Sequence, residues 1–215
     1  MTTPLRGDRV EAPLRGDRVE APLRGDGPSD WPGEWTSSPA AAHVADGTLH
    51  VTTQDRTDFW QGTFYGFHRD DGHALLRPAP EGDFSVTLTF DGAYDHLYDQ
   101  AGLMLRASPT AWIKFGIEWT DGAAHLSVVV TDGRSDWSAQ PVALDGPVTV
   151  RATRLGDAAL LQWRDGPDYR MARLAPLPDG PLRVGPYCAS PERAGFEARF
   201  LSVAVGAPEV TALHA

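Results

Sequence analysis

The alternation of apolar and polar positions along this chain is that of strands, not helices. Phe84, Val86, Leu88 and Phe90 alternate with Ser85, Thr87 and Thr89, the period-two signature of a strand with one buried face. Thr48 to Thr53 alternates likewise, as do Val148, Val150 and Ala152 against Thr149, Arg151 and Thr153. Phe196, Ala198 and Phe200 repeat the pattern, and the parity then switches to Leu201, Val203 and Val205. That switch predicts a bulge or a strand passing between sheets. Asp-Gly pairs at Asp91-Gly92, Asp121-Gly122, Asp132-Gly133 and Asp165-Gly166 predict tight turns, since both residues tolerate positive φ. No window of a dozen residues carries a 3.6-residue period. Short strands recurring over ~180 residues predict an all-β sandwich or jelly roll of two packed antiparallel sheets.

Pairing the three runs between Tyr98 and Trp137 sets a register. A two-residue turn at Asp121-Gly122 places Ile117 opposite Leu126, Phe115 opposite Val128 and Ile113 opposite Val130. The other face carries Glu118 opposite His125, Gly116 opposite Ser127, Lys114 opposite Val129 and Trp112 opposite Thr131. The preceding hairpin turns through Ala107 to Ala111. It adds Gln100 opposite Glu118, Gly102 opposite Gly116, Met104 opposite Lys114 and Arg106 opposite Trp112. Adjacent glycines inside a sheet mark the close approach of a ligand or of another backbone. The expectation is a groove on the concave sheet face over Gly102 and Gly116. Trp112 would stack on the ligand, Lys114 and Arg106 would contact hydroxyls or an anionic group, and Gln100, Glu118, His125 and Ser127 would ring it. The plainer alternative is a solvated sheet face bearing a Lys–Glu pair. Loops add Asp58, Trp60, Tyr65, Tyr98, Asp99, Ser135, Asp136 and Trp137. Aromatic faces beside carboxylates suit sugars, whose CH groups stack on rings while their hydroxyls hydrogen-bond.

Composition narrows the partners. The 215 residues, 41% of them hydrophobic, suit one large domain. A formal net charge of −10 repels phosphate backbones and argues against nucleic acid. No apolar run approaches the ~20 residues that span a bilayer, and no secretory signal opens the chain, so a cytoplasmic location is expected. Cys188 is the single cysteine and reads as a small core residue. Lys114 is the only lysine among 19 basic residues, a bias that points to a GC-rich genome. A lysine that resists this bias is a candidate for a role needing a compact ammonium. Residues 4–27 repeat PLRGDRVEA, with Pro and Gly in every unit. Residues 1–28 therefore read as a disordered tail, 29–208 as the domain and 209–215 as a second tail. Without a secretion signal, Arg6-Gly7-Asp8 is not read as an adhesion signal.

Catalytic signatures are sparse. A glycosidase would need a second carboxylate ~5–9 Å from Glu118, with Asp58, Asp99 and Asp136 as rim candidates. No Gly-x-Ser-x-Gly elbow is present, and His68 and His73 make weak metal ligands. No cofactor is implied, and oligomeric state is left open.

The residues Asp58-Phe59-Trp60, Tyr65-Gly66-Phe67, Tyr98 to Met104, Trp112-Ile113-Lys114, Glu118, Leu126 to Thr131, Ser135 to Ser138 and Val184-Gly185-Pro186 carry a resemblance. The chain resembles the domain family that includes the fungal "regulation of enolase" proteins, within the concanavalin A-like lectin/glucanase superfamily. The resemblance covers about residues 31–206 and excludes the repeat. It implies a jelly-roll sandwich and leaves function open among three readings. The first is a non-catalytic module for a carbohydrate or small polar metabolite. The second is a sugar-modifying enzyme using Glu118. The third is an interaction domain regulating a metabolic enzyme.

Overall fold

The computed structural model describes residues 30–213. The Pro-Leu-Arg-Gly-Asp repeat lies outside them. The described residues form β1 (Glu34–Trp35), β2 (Ala41–Ala45), β3 (Thr48–Thr52), β4 (Phe59–Gln61), β5 (His68–Asp70), β6 (His73–Pro78), β7 (Ser85–Gly92) and β8 (Gln100–Ser108). There follow β9 (Ala111–Thr120), β10 (Ala123–Asp132), β11 (Arg134–Pro141), β12 (Val148–Leu155), β13 (Ala158–Asp165), β14 (Asp168–Pro176), β15 (Arg183–Ala189) and β16 (Glu197–Gly206). No helix occurs among the described residues.

Two seven-stranded antiparallel sheets pack face to face as a jelly-roll sandwich. The front sheet runs β1-β6-β15-β8-β9-β10-β11, the back sheet β14-β13-β12-β7-β16-β3-β2, and β4-β5 form a separate hairpin. Leu103, Leu105, Ile113, Phe115 and Ile117 of the front sheet meet Val86, Leu88, Phe90, Val150 and Phe200 of the back sheet in one buried core. The register across β8, β9 and β10 is the one the sequence predicts, from Gln100 opposite Glu118 to Thr131 opposite Trp112. The turn joining β9 to β10 holds Asp121 at φ 52° and Gly122 at φ 73°, the positive pair of a tight hairpin. In β16 the pairing shifts between Phe200 and Ser202. The strand stays in one sheet, so the parity switch is a bulge. Asp91-Gly92 is not a turn: both residues pair with β16 as the last residues of β7.

The front sheet's outer face corrects a larger expectation. Phe59, Trp60, Ala74, Leu76, Met104, Trp112, Val129 and Tyr187 form a second apolar cluster there. The β4–β5 hairpin lies across this face instead of leaving it as a groove. Gln61 N–H donates to Ser135 Oγ at 2.9 Å, and the Gln61 amide reaches the Pro109 carbonyl at 3.4 Å. Arg106 grips Asp70 of β5 with two bonds of 2.6 and 2.7 Å. Burying side chains the size of Phe59 and Trp112 contributes about 2–3 kcal/mol each, which explains why the hairpin stays down.

A side-chain contact joins the two layers at one margin, and another fastens the chain end to the back sheet. Arg173 of β14 donates to Asp136 of β11 at 2.6 Å. Glu209 binds Arg151 at 2.7 Å, and its N–H donates to Ser85 Oγ at 2.8 Å. The segment assigned to a C-terminal tail thus begins with a residue fastened to the back sheet.

Candidate functional site

The floor of the expected site is made by backbone proximity. Gly102 and Gly116 are direct partners in β8 and β9. A Cβ on Gly102 would lie 2.3 Å from the Phe115 carbonyl oxygen, and one on Gly116 would lie 2.2 Å from that of Ala101. Of the two readings of adjacent glycines, close approach of another backbone accounts for both.

Beside the glycines, the root of the hairpin closes over a buried polar network. Lys114 Nζ donates to Gln100 Oε1 at 2.7 Å and to Asp58 Oδ1 at 3.4 Å. Gln100 Nε2 donates to the Tyr98 carbonyl at 3.3 Å and to Asp58 Oδ1 at 3.4 Å. The same Asp58 oxygen accepts the Phe59 N–H at 2.7 Å. Lys114 is 3% exposed. The chain's only lysine therefore holds β8, β9 and the hairpin root together. An ammonium suits this position because it is compact enough to be enclosed. Trp112 is fully enclosed by Phe59 and cannot stack on a ligand. Arg106 is committed to Asp70.

One position further along the strands the setting changes. Ser127 Oγ donates to Glu118 Oε2 at 2.6 Å, and Trp137 Nε1–H donates to Ser127 Oγ at 3.0 Å. Burial pushes the Glu118 carboxyl above its ordinary range. The Asp58 charge adds to this, while Lys114, Ser127 and Trp137 oppose it. His125, opposite Glu118, places Nδ1 3.1 Å from the Ala123 carbonyl. Tyr187 of β15 sits opposite Gly102 and is 1% exposed. Its hydroxyl has no hydrogen-bond partner among the described residues. Among the described residues, the Tyr94 hydroxyl and Arg183 Nε are sealed from solvent without a partner. Burial also holds that phenol neutral.

Aromatic rings form the mouth. Trp60, Thr63, Phe64 and Tyr65 of the hairpin face Ser135, Asp136 and Trp137 across an open groove of about 550 Å³. The Tyr65 ring packs edge-on against Trp60 at 5.8 Å and stacks on Phe67 at 5.4 Å. Its hydroxyl lies 3.1 Å from that of Tyr98, whose ring meets Trp137 edge-on at 6.4 Å. Phe64 is 89% exposed at φ 60°, and Tyr98 sits at φ 64°. Bulky residues rarely adopt this left-handed region, and each costs about 1–2 kcal/mol there. The mouth is thus held by its surroundings against local backbone preference.

The structure brings together Glu118, His125, Ser127, Tyr65, Tyr98, Trp60 and Trp137. It places Gln100, Lys114 and Asp58 in the buried network and Ser135 under the hairpin, bonded to Thr131 Oγ1 at 2.8 Å. Asp99 is held away from the groove. Its carboxylate takes two bonds from Arg193, at 3.1 and 2.6 Å, and the N–H groups of Asp95 and His96. Asp136 is the partner of Val130, whose side faces the core, so its carboxylate points to Arg173. Each carboxylate expected as a catalytic partner for Glu118 is therefore engaged elsewhere. Asp95, His96 and Asp99 approach within 4.8 Å of one another, but Arg193 bonds to both carboxylates of that group. His73 is a satisfied core residue between the Ser37 carbonyl and the Gln54 N–H. Cys188 is buried in the core. Phe64 and Tyr187 are additions. An aromatic run between Gly62 and Gly66 could have flagged the first. Tyr187 has no such signal, since it meets Gly102 only through β15–β8 pairing.

An all-β sandwich whose outer face is half covered by its own hairpin defines the class of protein. Residues 35–208 match the family described as "Protein of unknown function (DUF1349)", and the chain belongs to that family. It is 38% identical over 186 residues to "Regulation of enolase protein 1" of Saccharomyces cerevisiae, covering 85% of this chain and 93% of that protein. A crystal structure of a functionally unknown protein from the same yeast superposes with a TM-score of 0.77 at 36% identity, covering 82% of this chain and 96% of that one. A Bacteroides ovatus structure titled "Xyloglucan PUL GH43B" shares the fold, with a TM-score of 0.69 at 14% identity. That match covers 90% of this chain and 41% of that one.

Proposed function

We propose that this protein is a binding module for a carbohydrate or a similar small polar ligand. The ligand site is the mouth bounded by Tyr65, Tyr98 and Trp137, with Glu118, Ser127 and His125 behind it. The observation that carries this reading is the pairing of exposed rings with a buried carboxyl, Glu118, linked to Trp137 through the Ser127 hydroxyl. Rings supply the stacking faces and the inner groups supply donors and acceptors, as sugar recognition requires. A thermal-shift screen of sugars and polar metabolites tests it, because a ligand of the native state raises Tm. A hit should be lost in Trp137→Ala. A hit unaffected by that change would place the site elsewhere.

A second reading follows from the relative's name: an interaction domain acting on a metabolic enzyme. The Phe64 side chain, 89% exposed at the hairpin tip, favours it, because exposed aromatics serve as interface anchors. Co-elution with enolase purified from the native host supports this reading if Phe64→Ser abolishes it. Separate elution at micromolar concentrations excludes enolase as the partner.

A further inference from the structure

The outer face of the back sheet holds a carboxylate in a cradle of strand side chains. In β12, Val150 and Ala152 face the core, so Arg151 between them points outward. Thr87 of β7 and Gln162 of β13 are its direct partners across the sheet. Gln162 Oε1 accepts from Arg151 Nε and Nη2 at 3.1 and 2.9 Å. The guanidinium also lies over the Tyr169 ring of β14, 3.8 Å from its centroid. Residues of the sheet thus aim this cation, which is 8% exposed.

Three groups of this face meet one residue, Glu209. Arg151 Nη1 donates to its Oε2 at 2.7 Å, and Thr87 Oγ1 donates to its Oε1 at 3.2 Å. Ser85 Oγ accepts the Glu209 N–H at 2.8 Å and is itself bonded to Thr153 Oγ1 at 2.7 Å. The backbone and the carboxylate of a single glutamate are read together. Anchoring both ends selects the length of the side chain, and aspartate, one methylene shorter, does not span them.

Host and occupant are built differently. Ser85, Thr87, Arg151 and Gln162 all sit in paired strands. Glu209 follows the end of β16 at Gly206, outside any strand, and its side chain is 51% exposed. Among the described residues, the hydrogen bonds that tie 207–213 to the sheets are those of Glu209. A nearly buried guanidinium needs an anion, because stranding it costs far more than losing a surface ion pair. Another polypeptide that offers the same carboxylate and N–H meets that need equally well.

We infer that this cradle is a recognition site for a glutamate of a partner polypeptide, and that Glu209 is its resident occupant, exchanged when such a segment binds. The site lies on the opposite side of the sandwich from the aromatic groove and does not depend on the carbohydrate reading.

The test is calorimetric titration of the full chain, and of its Glu209→Ala variant, with the acetylated and amidated peptide Ala-Pro-Glu-Val-Thr-Ala-Leu, the sequence of residues 207–213. The variant should bind it with a Kd below about 1 mM, and at least about tenfold more tightly than the parent, where tethered Glu209 competes. The peptide should also raise the variant's Tm. Glutamine or aspartate in place of the peptide's glutamate should weaken binding about tenfold, and Thr87→Val added to the variant about threefold. No heat with the variant overturns the inference. So does equal affinity for the glutamate and glutamine peptides, or equal affinity in parent and variant, since the peptide would then lie outside the cradle. If Glu209→Ala does not fold, Glu209→Gln, which keeps an acceptor for Thr87, takes its place and the same outcomes decide.

Discussion

Gly102 and Gly116 face each other across β8 and β9 so closely that neither has room for a side chain. A Cβ on either would fall 2.6 Å from the other's Cα. Replacing glycine by alanine in a strand ordinarily stabilises it, by about 0.5–1 kcal/mol. Here the obstructing atoms are backbone, so the sign reverses. Gly102→Ala and Gly116→Ala should each lose about 2–3 kcal/mol or more in urea unfolding. A neutral or stabilised variant would show that the strands can separate freely at this point.

Lys114 gives a second prediction. A lysine on an open groove could be removed at little cost to the fold. This one is enclosed, and its loss leaves Asp58 and Gln100 facing each other without the ammonium. Lys114→Ala should destabilise the protein by about 3 kcal/mol. Chemical denaturation checks this. A loss below about 0.5 kcal/mol, the ordinary surface value, would mean the network carries no weight.

Glu118 makes stability depend on pH. Its folded pKa is raised, chiefly by burial, from the ordinary 4.5. The native state therefore holds this proton at pH values where the unfolded chain has released it, and the unfolded state binds fewer protons. Stability from this group then falls as pH rises from 4.5 through the raised folded value. Glu118→Gln retains an acceptor for Ser127 and removes the titration. The variant should gain stability relative to the parent on going from pH 4 to pH 8, measured as the difference in Tm, in keeping with linkage. A constant difference across that range would show that Glu118 titrates as an ordinary carboxyl.

Phe64 separates binding from folding. With its side chain in solvent, Phe64→Ser should change unfolding free energy by less than about 0.5 kcal/mol. Phe59, at the start of β4 and fully buried, should cost about 3–5 kcal/mol as Phe59→Ala and uncover the outer face. Increased binding of a hydrophobic dye by the second variant alone would show the plug removed. Equal costs for the two changes would mean that the hairpin does not pack as a unit.

Most of the fold could be read from local pattern. Period-two alternation over Phe84–Phe90 and Val148–Thr153 marked the strands found at Ser85–Gly92 and Val148–Leu155, and the Asp121-Gly122 turn set a register that brought Gln100, Glu118 and His125 into one row. These features are legible because strand parity and two-residue turns act over a few residues. The same parity rule applied to β11 separates Trp137, on the outer face, from Asp136, which turns to the other sheet.

Whether the polar row faced solvent was a different matter. Phe59 and Lys114 are far apart in the chain, and nothing local to either states that a hairpin from residues 59–70 will lie over β9. Solvent exposure belongs to the whole set of neighbours. Long-range packing therefore turned Lys114 and Trp112 into interior residues, buried Glu118 beside Ser127, and placed Tyr187 opposite Gly102 from 85 positions further along the chain.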